Sequence, residues 1–276
     1  MNKKLLGIIG KTILSVVLLL GLIIILNGFT QSVLNEKESG ELLTPISLGL
    51  TAFTMYLLFE RKKGWVVGWR DRHTISNIFM GLMIISIVVA ISMSIMILGG
   101  KVTLEDHSFK MELVISQALL FLIVGLGEEW LFRGYFYGLY KEAYGVKTAI
   151  ITNSLLFAAI HLLNPYSFSK PLEFLFIEIV NIFLLSLIMS QSRVFSGSLW
   201  MPIGIHFLMN FLQSSIFGFR NGGKDVESLF SVIYSDKNIW NGAGYGLESS
   251  LIFTPVLLIV VLLLGFLYRG SLKAQP

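Results

Sequence analysis

Several polar or ionisable side chains lie inside long apolar runs of this sequence, where a bilayer disfavours charge, and six of them form the strongest candidate set for chemistry. They are Glu128, Glu129 and Arg133 in one run, His161 in the next, and His206 with Asn210 in a later one. A charged side chain at mid-membrane costs about 2.5–3.5 kcal/mol, so such residues persist mainly where a helix bundle buries and uses them. Carboxylate, imidazole and amide groups together can transfer protons, bind a metal ion or stabilise an oxyanion.

Three of these residues are predicted to lie at one depth. Glu128 and His161 are 13 and 14 residues from the lysines that flank a predicted turn around Gly145, and His206 follows Arg193 by 13 residues. At 1.5 Å per helical residue, each lies about 20 Å from the same side of the membrane. The spacing therefore predicts that side chains from three helices converge on one site.

Spacing also separates the two adjacent glutamates. Glu129 and Arg133 are four residues apart and can pair on one helical face, whereas Glu128 points about 100° away and can face the histidines. Asn210 follows His206 by four residues and shares its face. We predict Glu128, His161, His206 and Asn210 as the catalytic set, with Glu129 and Arg133 as supporting residues.

Hydrolysis within the membrane is the chemistry that this set best supports. The sequence has no cysteine, no aspartate inside an apolar run, and neither a G-x-S-G nor an HExxH motif. Two mechanisms remain open. Glu128, His161 and His206 can hold a divalent metal such as zinc that activates water. Alternatively, Glu128 is a metal-free general base, His161 orients the water or the substrate, and His206 with Asn210 donates to the oxyanion.

The composition identifies the elements that must position this set. Of 276 residues, 54% are hydrophobic and 14% charged, against roughly 25% charged in soluble domains. We predict an all-α polytopic membrane protein of about eight transmembrane helices in one bundle. A three-helix segment over residues 1–110 would precede a catalytic core over 111–276. The predicted spans are 12–29, 42–59, 76–99, 113–134, 148–163, 174–190, 198–217 and 250–268.

The distribution of basic residues predicts the orientation. Of 21 Lys and Arg residues, 13 fall in one set of alternating segments and 7 in the other, and Arg133 lies within a run. The positive-inside rule then places both termini in the cytoplasm of a multi-pass protein of the cell membrane. The first run is interpreted as a retained membrane anchor rather than a cleaved signal peptide. The segment from Arg220 to Gly246 is predicted to be an external loop.

Three short motifs carry a resemblance to a known family. The segments EEWLFR (128–133), FAAIH (157–161) and HFLMN (206–210) resemble the EExxxR, FxxxH and HxxxN motifs of the CAAX prenyl endopeptidase and bacteriocin-processing family, called CPBP or Abi. The resemblance covers roughly residues 113–217. It implies an eight-helix core and the catalytic and supporting roles given above. It also implies an active-site cavity open toward the cytoplasm and inner leaflet, here from the predicted Gly145 turn.

The predicted function is therefore an intramembrane endopeptidase acting on a membrane-associated, lipidated or peptide substrate, with no nucleic-acid partner. A non-hydrolytic bacteriocin-immunity or scaffolding protein is the first alternative, and a proton-coupled transporter the second. Glu178 and Asn181 can be either bundle contacts or accessory residues. Glu248, predicted to lie outside the membrane, receives no catalytic role.

Overall fold

The computed structural model describes residues 3–34, 40–106, 111–164 and 166–273, most of which are α-helical. The α-helices are α1 (Lys3–Phe29), α2 (Gly40–Met55), α3 (Thr74–Leu98), α4 (Met111–Glu129), α5 (Tyr137–His161), α6 (Leu172–Ser196), α7 (Trp200–Asn210) and α8 (Phe253–Lys273). Four of them continue into π-helical segments, which are Thr30–Leu34, Tyr56–Glu60, Trp130–Phe136 and Phe211–Ile216. The architecture agrees with the predicted polytopic helical class.

Five helical stretches are long and apolar enough to cross a membrane. They are Lys4–Ser32, Leu42–Lys63, Thr74–Leu98, Met111–His161 and Leu172–Ser196. Met111–His161 is interrupted at Gly145, whose φ of 82° and ψ of 173° are non-helical, so the predicted turn between two runs is present. Phe253–Leu267 is a shorter apolar helix. By length and composition the described residues thus supply five spanning stretches, where the sequence predicted eight.

One end of the bundle gathers basic residues around the Gly145 turn, and we call it the basic end. Lys63 pairs with Glu142 at 3.1 Å, and Lys4 lies 5.7 Å from the centre of the Tyr144 ring. Arg193, near the end of α6, donates to the main-chain oxygens of residues 66 and 67. The loop between α2 and α3 is therefore tied to this end.

The opposite end, which we call the loop end, contains the longer connections. Strands β1 (Val102–Asp106) and β2 (Phe230–Tyr234) pair antiparallel there, with Val102 opposite Tyr234. The long segment after α7 is therefore partly a strand, a departure from the all-α expectation. Strand β2 forms because alternating apolar residues in FSVIY find a partner in β1, which lies far away in sequence.

Glycines allow the helices that carry the candidate site to approach closely. A Cβ atom added at Gly204 in α7 would lie 2.9 Å from the main-chain oxygen of Ile78 in α3. A Cβ atom at Gly127 in α4 would lie 2.0 Å from the main-chain oxygen of Pro45 in α2. Small residues at helix crossings are how helices pack tightly in a bilayer, where lipid offers no hydrophobic contrast. These contacts fix the positions of α4 and α7, which carry most of the predicted catalytic residues.

Candidate active site

The predicted site residues sit where regular helix geometry changes. Glu128 and Glu129 end α4, directly before the π-helical segment Trp130–Phe136, and His161 is the last residue of α5. His206 and Asn210 lie in α7, and Asn210 directly precedes a second π-helical segment. Such π-helical segments are frequent at functional sites because the extra residue per turn changes the direction of the side chains.

Glu129 joins two of the three motifs. Its Oε1 atom accepts a 2.8 Å hydrogen bond from Arg133 Nη1 and lies 2.8 Å from His206 Nδ1. Glu129 and Arg133 are both fully buried. Arg133 also donates to Ser186 Oγ at 2.6 Å, and its guanidinium lies 4.4 Å from the centre of the Phe157 ring. The predicted ion pair between Glu129 and Arg133 is present.

The contact between Glu129 and His206 was not predicted, and it orients the imidazole. The Glu129 carboxylate already accepts from Arg133, so Nδ1 of His206 donates the proton in this hydrogen bond. The other ring nitrogen, Nε2, is then left for chemistry, as in sites where a carboxylate holds a histidine in one tautomer. This nitrogen lies 3.8 Å from Glu128 Oε2. A water molecule can bridge groups at such a separation.

The ring of His161 is held by a contact with the backbone of its own helix. Its Nδ1 atom lies 2.7 Å from the main-chain oxygen of Phe157, one helical turn earlier. The Phe157 ring lies 4.7 Å from the His161 ring and 6.0 Å from the His206 ring, centre to centre. Phe157 therefore packs against both histidines and against Arg133 and restricts their orientations.

A cavity of about 160 Å³ brings the predicted catalytic set together. Its wall includes Glu128, His161, His206 and Asn210, each contributed by the helix that the sequence assigned to it. At about 30 Å³ per water molecule, this volume holds roughly five waters. It can thus accept the reacting peptide group and part of a neighbouring side chain, whereas the rest of the substrate must extend through the mouth.

The loop end, and not the Gly145 turn, contributes the outer wall of this cavity. Asn164 follows α5, Asn221 and Gly222 follow α7, and Glu248 precedes α8. None of the described lining residues belongs to the Gly145 turn, so the wall gives no support to the expectation that the cavity is reached from that turn. The depth of the site along the helices does not reveal which loops border it.

Two further carboxylates in the wall change the interpretation of the sequence. Glu178 lines the cavity and forms a buried ion pair with Lys170, and Ser249 Oγ donates to it at 3.2 Å. Glu248 also lines the cavity, although the sequence gave it no role. Glu178 was detectable as a charge within an apolar run. Glu248 had no comparable signal because it lies in a loop, in the 3₁₀ turn Leu247–Ser249.

Asn181 anchors that loop. Its Nδ2 atom donates to the main-chain oxygens of Glu248 and Ser250, at 2.7 and 2.9 Å, and its Oδ1 atom accepts from Thr254 Oγ1 at 2.8 Å. The amide thus links α6 to the loop and to the start of α8. Of the two roles considered for Asn181, the structure supports the bundle contact.

The donor types suit a metal ion, but their spacing does not. In the portion of the chain that the structure describes, no three His, Asp or Glu side chains are grouped closely enough to hold one. The engagement of both Nδ1 atoms, that of His206 by Glu129 and that of His161 by the backbone, does not itself oppose metal binding, because a metal-bound histidine uses one ring nitrogen and commonly has the other hydrogen-bonded. On the spacing alone, we derive no step through a metal.

The fold and the site define a class of protein: a polytopic helical membrane protein with a buried Glu–Arg–His network beside a polar cavity. Residues 110–212 match the family described as type II CAAX prenyl endopeptidase Rce1-like, and all three motifs lie within this segment. Residues 110–212 are thus similar to the Rce1-like family, which confirms the resemblance drawn from the motifs and supports a CAAX-type protease. A comparison with curated proteins finds none that matches.

Proposed function

We propose that the protein is an intramembrane endopeptidase in which Glu128 activates water for attack on a peptide bond. The observation that carries this proposal is the arrangement of Glu128 Oε2 and His206 Nε2. The two atoms lie 3.8 Å apart at a cavity wall, and a buried carboxylate holds the imidazole from behind. This leaves a position between a base and a polar group where a water molecule can be held.

The proposed reaction uses only side chains of this chain. Glu128 removes a proton from the water as the oxygen attacks the scissile carbonyl carbon. The carbonyl oxygen becomes an oxyanion that accepts hydrogen bonds from Asn210 and, in its doubly protonated form, from His206. Glu128 then returns the proton to the leaving nitrogen as the C–N bond breaks. His161 orients the water or the substrate from the opposite wall.

The proposed location is the cell membrane, with multiple passes and both termini in the cytoplasm. The basic residues that predict this orientation include Lys63, Lys141 and Arg193, which lie at the basic end. Because the cavity is bordered by the opposite end, its mouth would then face the external side. This differs from the cytoplasmic opening implied by the family resemblance. The proposed substrate is a membrane-associated protein or peptide, lipidated or not.

Cleavage of a defined peptide by purified protein tests the function. Wild-type protein in lipid nanodiscs is incubated with an internally quenched lipopeptide, alongside the Glu128→Ala and His206→Ala variants. Loss of a general base lowers the rate by about 10²–10⁴-fold. Glu173→Ala, an exposed carboxylate at the start of α6, is the matched control and should cleave like wild type.

The outcomes separate the alternatives. Cleavage that survives both Glu128→Ala and His206→Ala would sink the proposal. Absence of cleavage by wild-type protein, together with full protection of bacteriocin-challenged cells by Glu128→Ala, would support the non-hydrolytic immunity or scaffolding role. Proton flux into proteoliposomes that depends on Glu128 would support transport.

A further inference from the structure

Glu248 is a carboxylate in the cavity wall that the proposed hydrolysis does not use. It lies in the turn Leu247–Ser249, within the loop before α8, and lines the same cavity as Glu128 and His161. Gln213 Nε2 donates to its Oε1 atom at 3.5 Å, a long hydrogen bond. Among the described residues, no donor contacts its second oxygen. Glu248 is partly exposed, and its second oxygen has no protein donor in this part of the chain, which leaves it available to a ligand in the cavity.

The neighbouring carboxylate shows what Glu248 lacks. Glu178 has a cation, Lys170, as a buried ion-pair partner. Glu248 forms no ion pair within the described residues. Burial raises the pKa of Glu248, and the charge of Glu178 raises it further, while His161, Lys170 and the Gln213 hydrogen bond oppose the shift. Within the part of the chain that the structure describes, ion pairing thus provides one cation, Lys170, for two carboxylates that line the same cavity.

Gln213 supports the Glu248 carboxylate from behind the cavity wall. Its side chain is fully buried and its Nε2 atom donates to Glu248 Oε1. Gln213 does not line the cavity, so Glu248 is the acceptor that a ligand in the cavity can reach. A carboxylate that receives only one long hydrogen bond is complementary to a group rich in N–H donors. An ammonium or a guanidinium has this chemistry.

The position of Glu248 is fixed before any ligand binds. Asn181, which is fully buried, holds the main chain of Glu248 and is itself held by Thr254. A charged group that is partly removed from water and left without a counter-ion is costly. A ligand cation would remove that cost, so the binding would favour a positive charge over a neutral group of the same size.

We propose that Glu248 is a specificity residue that binds a lysine or arginine side chain of the peptide substrate. This rests on the proposed function, because the peptide bond must lie at Glu128 in the same cavity. The small volume of the cavity places the cationic side chain within a few residues of the scissile bond. Glu178, already paired with Lys170, stays a wall residue.

A set of matched peptides tests the preference. Each set contains three quenched lipopeptides that differ in a single residue near the scissile bond, which is arginine, norleucine or glutamate. Their kcat/KM values are compared, and the comparison is repeated with the variable residue at successive positions. At one position, wild-type protein should prefer arginine to norleucine by about tenfold or more. Glu248→Gln should lower this ratio toward one, and Glu248→Lys should favour the glutamate peptide. Glu173→Gln should leave the ratio unchanged.

A binding measurement separates failure of this proposal from failure of the proposed function. In the Glu128→Gln background, acetyl-arginine methylamide should raise the melting temperature more than acetyl-norleucine methylamide does, and adding Glu248→Gln should abolish the difference. If wild-type protein cleaves no peptide, this binding measurement alone tests whether Glu248 prefers a cation. An arginine preference that persists in Glu248→Gln, in cleavage or in binding, would overturn the specificity role while leaving hydrolysis at Glu128 intact.

The pH dependence provides a signature that a structural role would not give. Glu248 binds a cation only when ionised, and its raised pKa means that ionisation requires a higher pH than for an ordinary glutamate. The arginine-to-norleucine ratio should therefore fall as the pH is lowered through that pKa. In Glu248→Gln the ratio should stay flat. A pH-independent ratio in wild-type protein would contradict the proposal.

Discussion

Replacing Arg133 by methionine should destabilise the protein and stop catalysis through one cause. Arg133 is fully buried, and its Nη1 atom contacts Glu129 at 2.8 Å. Removing the cation leaves a buried carboxylate without its counter-ion, a change that costs about 3–5 kcal/mol. Methionine preserves most of the packing volume, so the change in stability reflects the lost charge. The free energy of unfolding of the variant should be lower than that of wild type by this amount, about 3–5 kcal/mol.

The double variant tests whether the charge is the cause. Glu129→Met leaves Arg133 unpaired and should cost a similar amount. Glu129→Met combined with Arg133→Met removes both charges and leaves mainly His206 Nδ1 without an acceptor, a loss of about 1–3 kcal/mol. The two single effects should therefore be strongly non-additive. Catalysis should stay absent in the double variant, because His206 has lost the group that orients it.

Reversible unfolding of protein in mixed micelles by added SDS gives the free energies, and the quenched lipopeptide assay gives the rates. Arg193→Met is a useful comparison. Arg193 is also buried but donates to main-chain oxygens, so its loss leaves no carboxylate uncompensated. An Arg133→Met variant within 1 kcal/mol of wild type, or a double variant as unstable as the two single effects added together, would refute the reasoning.

Three further predictions concern orientation, cofactor and packing. Because the chain has no cysteine, a single Asp236→Cys at the loop end should react with a membrane-impermeant maleimide from outside intact cells, and Lys62→Cys at the basic end should not; the reverse pattern would place the cavity mouth in the cytoplasm. Metal chelation should change the lipopeptide cleavage rate less than twofold, and a loss that zinc restores would favour the metal-dependent mechanism. Gly204→Leu should unfold at a lower SDS concentration than Gly21→Leu. A Cβ atom at Gly204 would lie 2.9 Å from the main-chain oxygen of Ile78, whereas a Cβ atom at Gly21 would have no neighbour within 4 Å. Equal stability of the two variants would contradict the close approach of α3 and α7.

Local pattern was enough for the helices and for most of the candidate site. Apolar runs and the glycine at 145 predicted the helical class and the turn, because hydrophobicity and backbone freedom act over a few residues. The four-residue spacing of Glu129 and Arg133 predicted their ion pair for the same reason. Depth along the helices predicted that Glu128, His161 and His206 share a site, and they line one cavity.

Contacts between distant segments were beyond the reach of such patterns. The sequence could not show that Glu129 also binds His206, because 77 residues separate them and the contact depends on how α4 and α7 cross. Strand β2 depends on pairing with β1, which is equally remote in sequence. The eight predicted spans are not confirmed by length and composition, which give five stretches among the described residues; one of them, Met111–His161, contains two predicted runs that meet at Gly145.

The sequence by itself determined that this is a helical membrane protein and which ionisable residues lie inside its apolar runs, because charge within an apolar run is a property of composition and spacing. Only the tertiary structure decided which loops border the cavity and that Glu248 belongs to its wall. A loop has no periodicity that gives its direction, and its position follows from the Asn181 hydrogen bonds that tie it to α6.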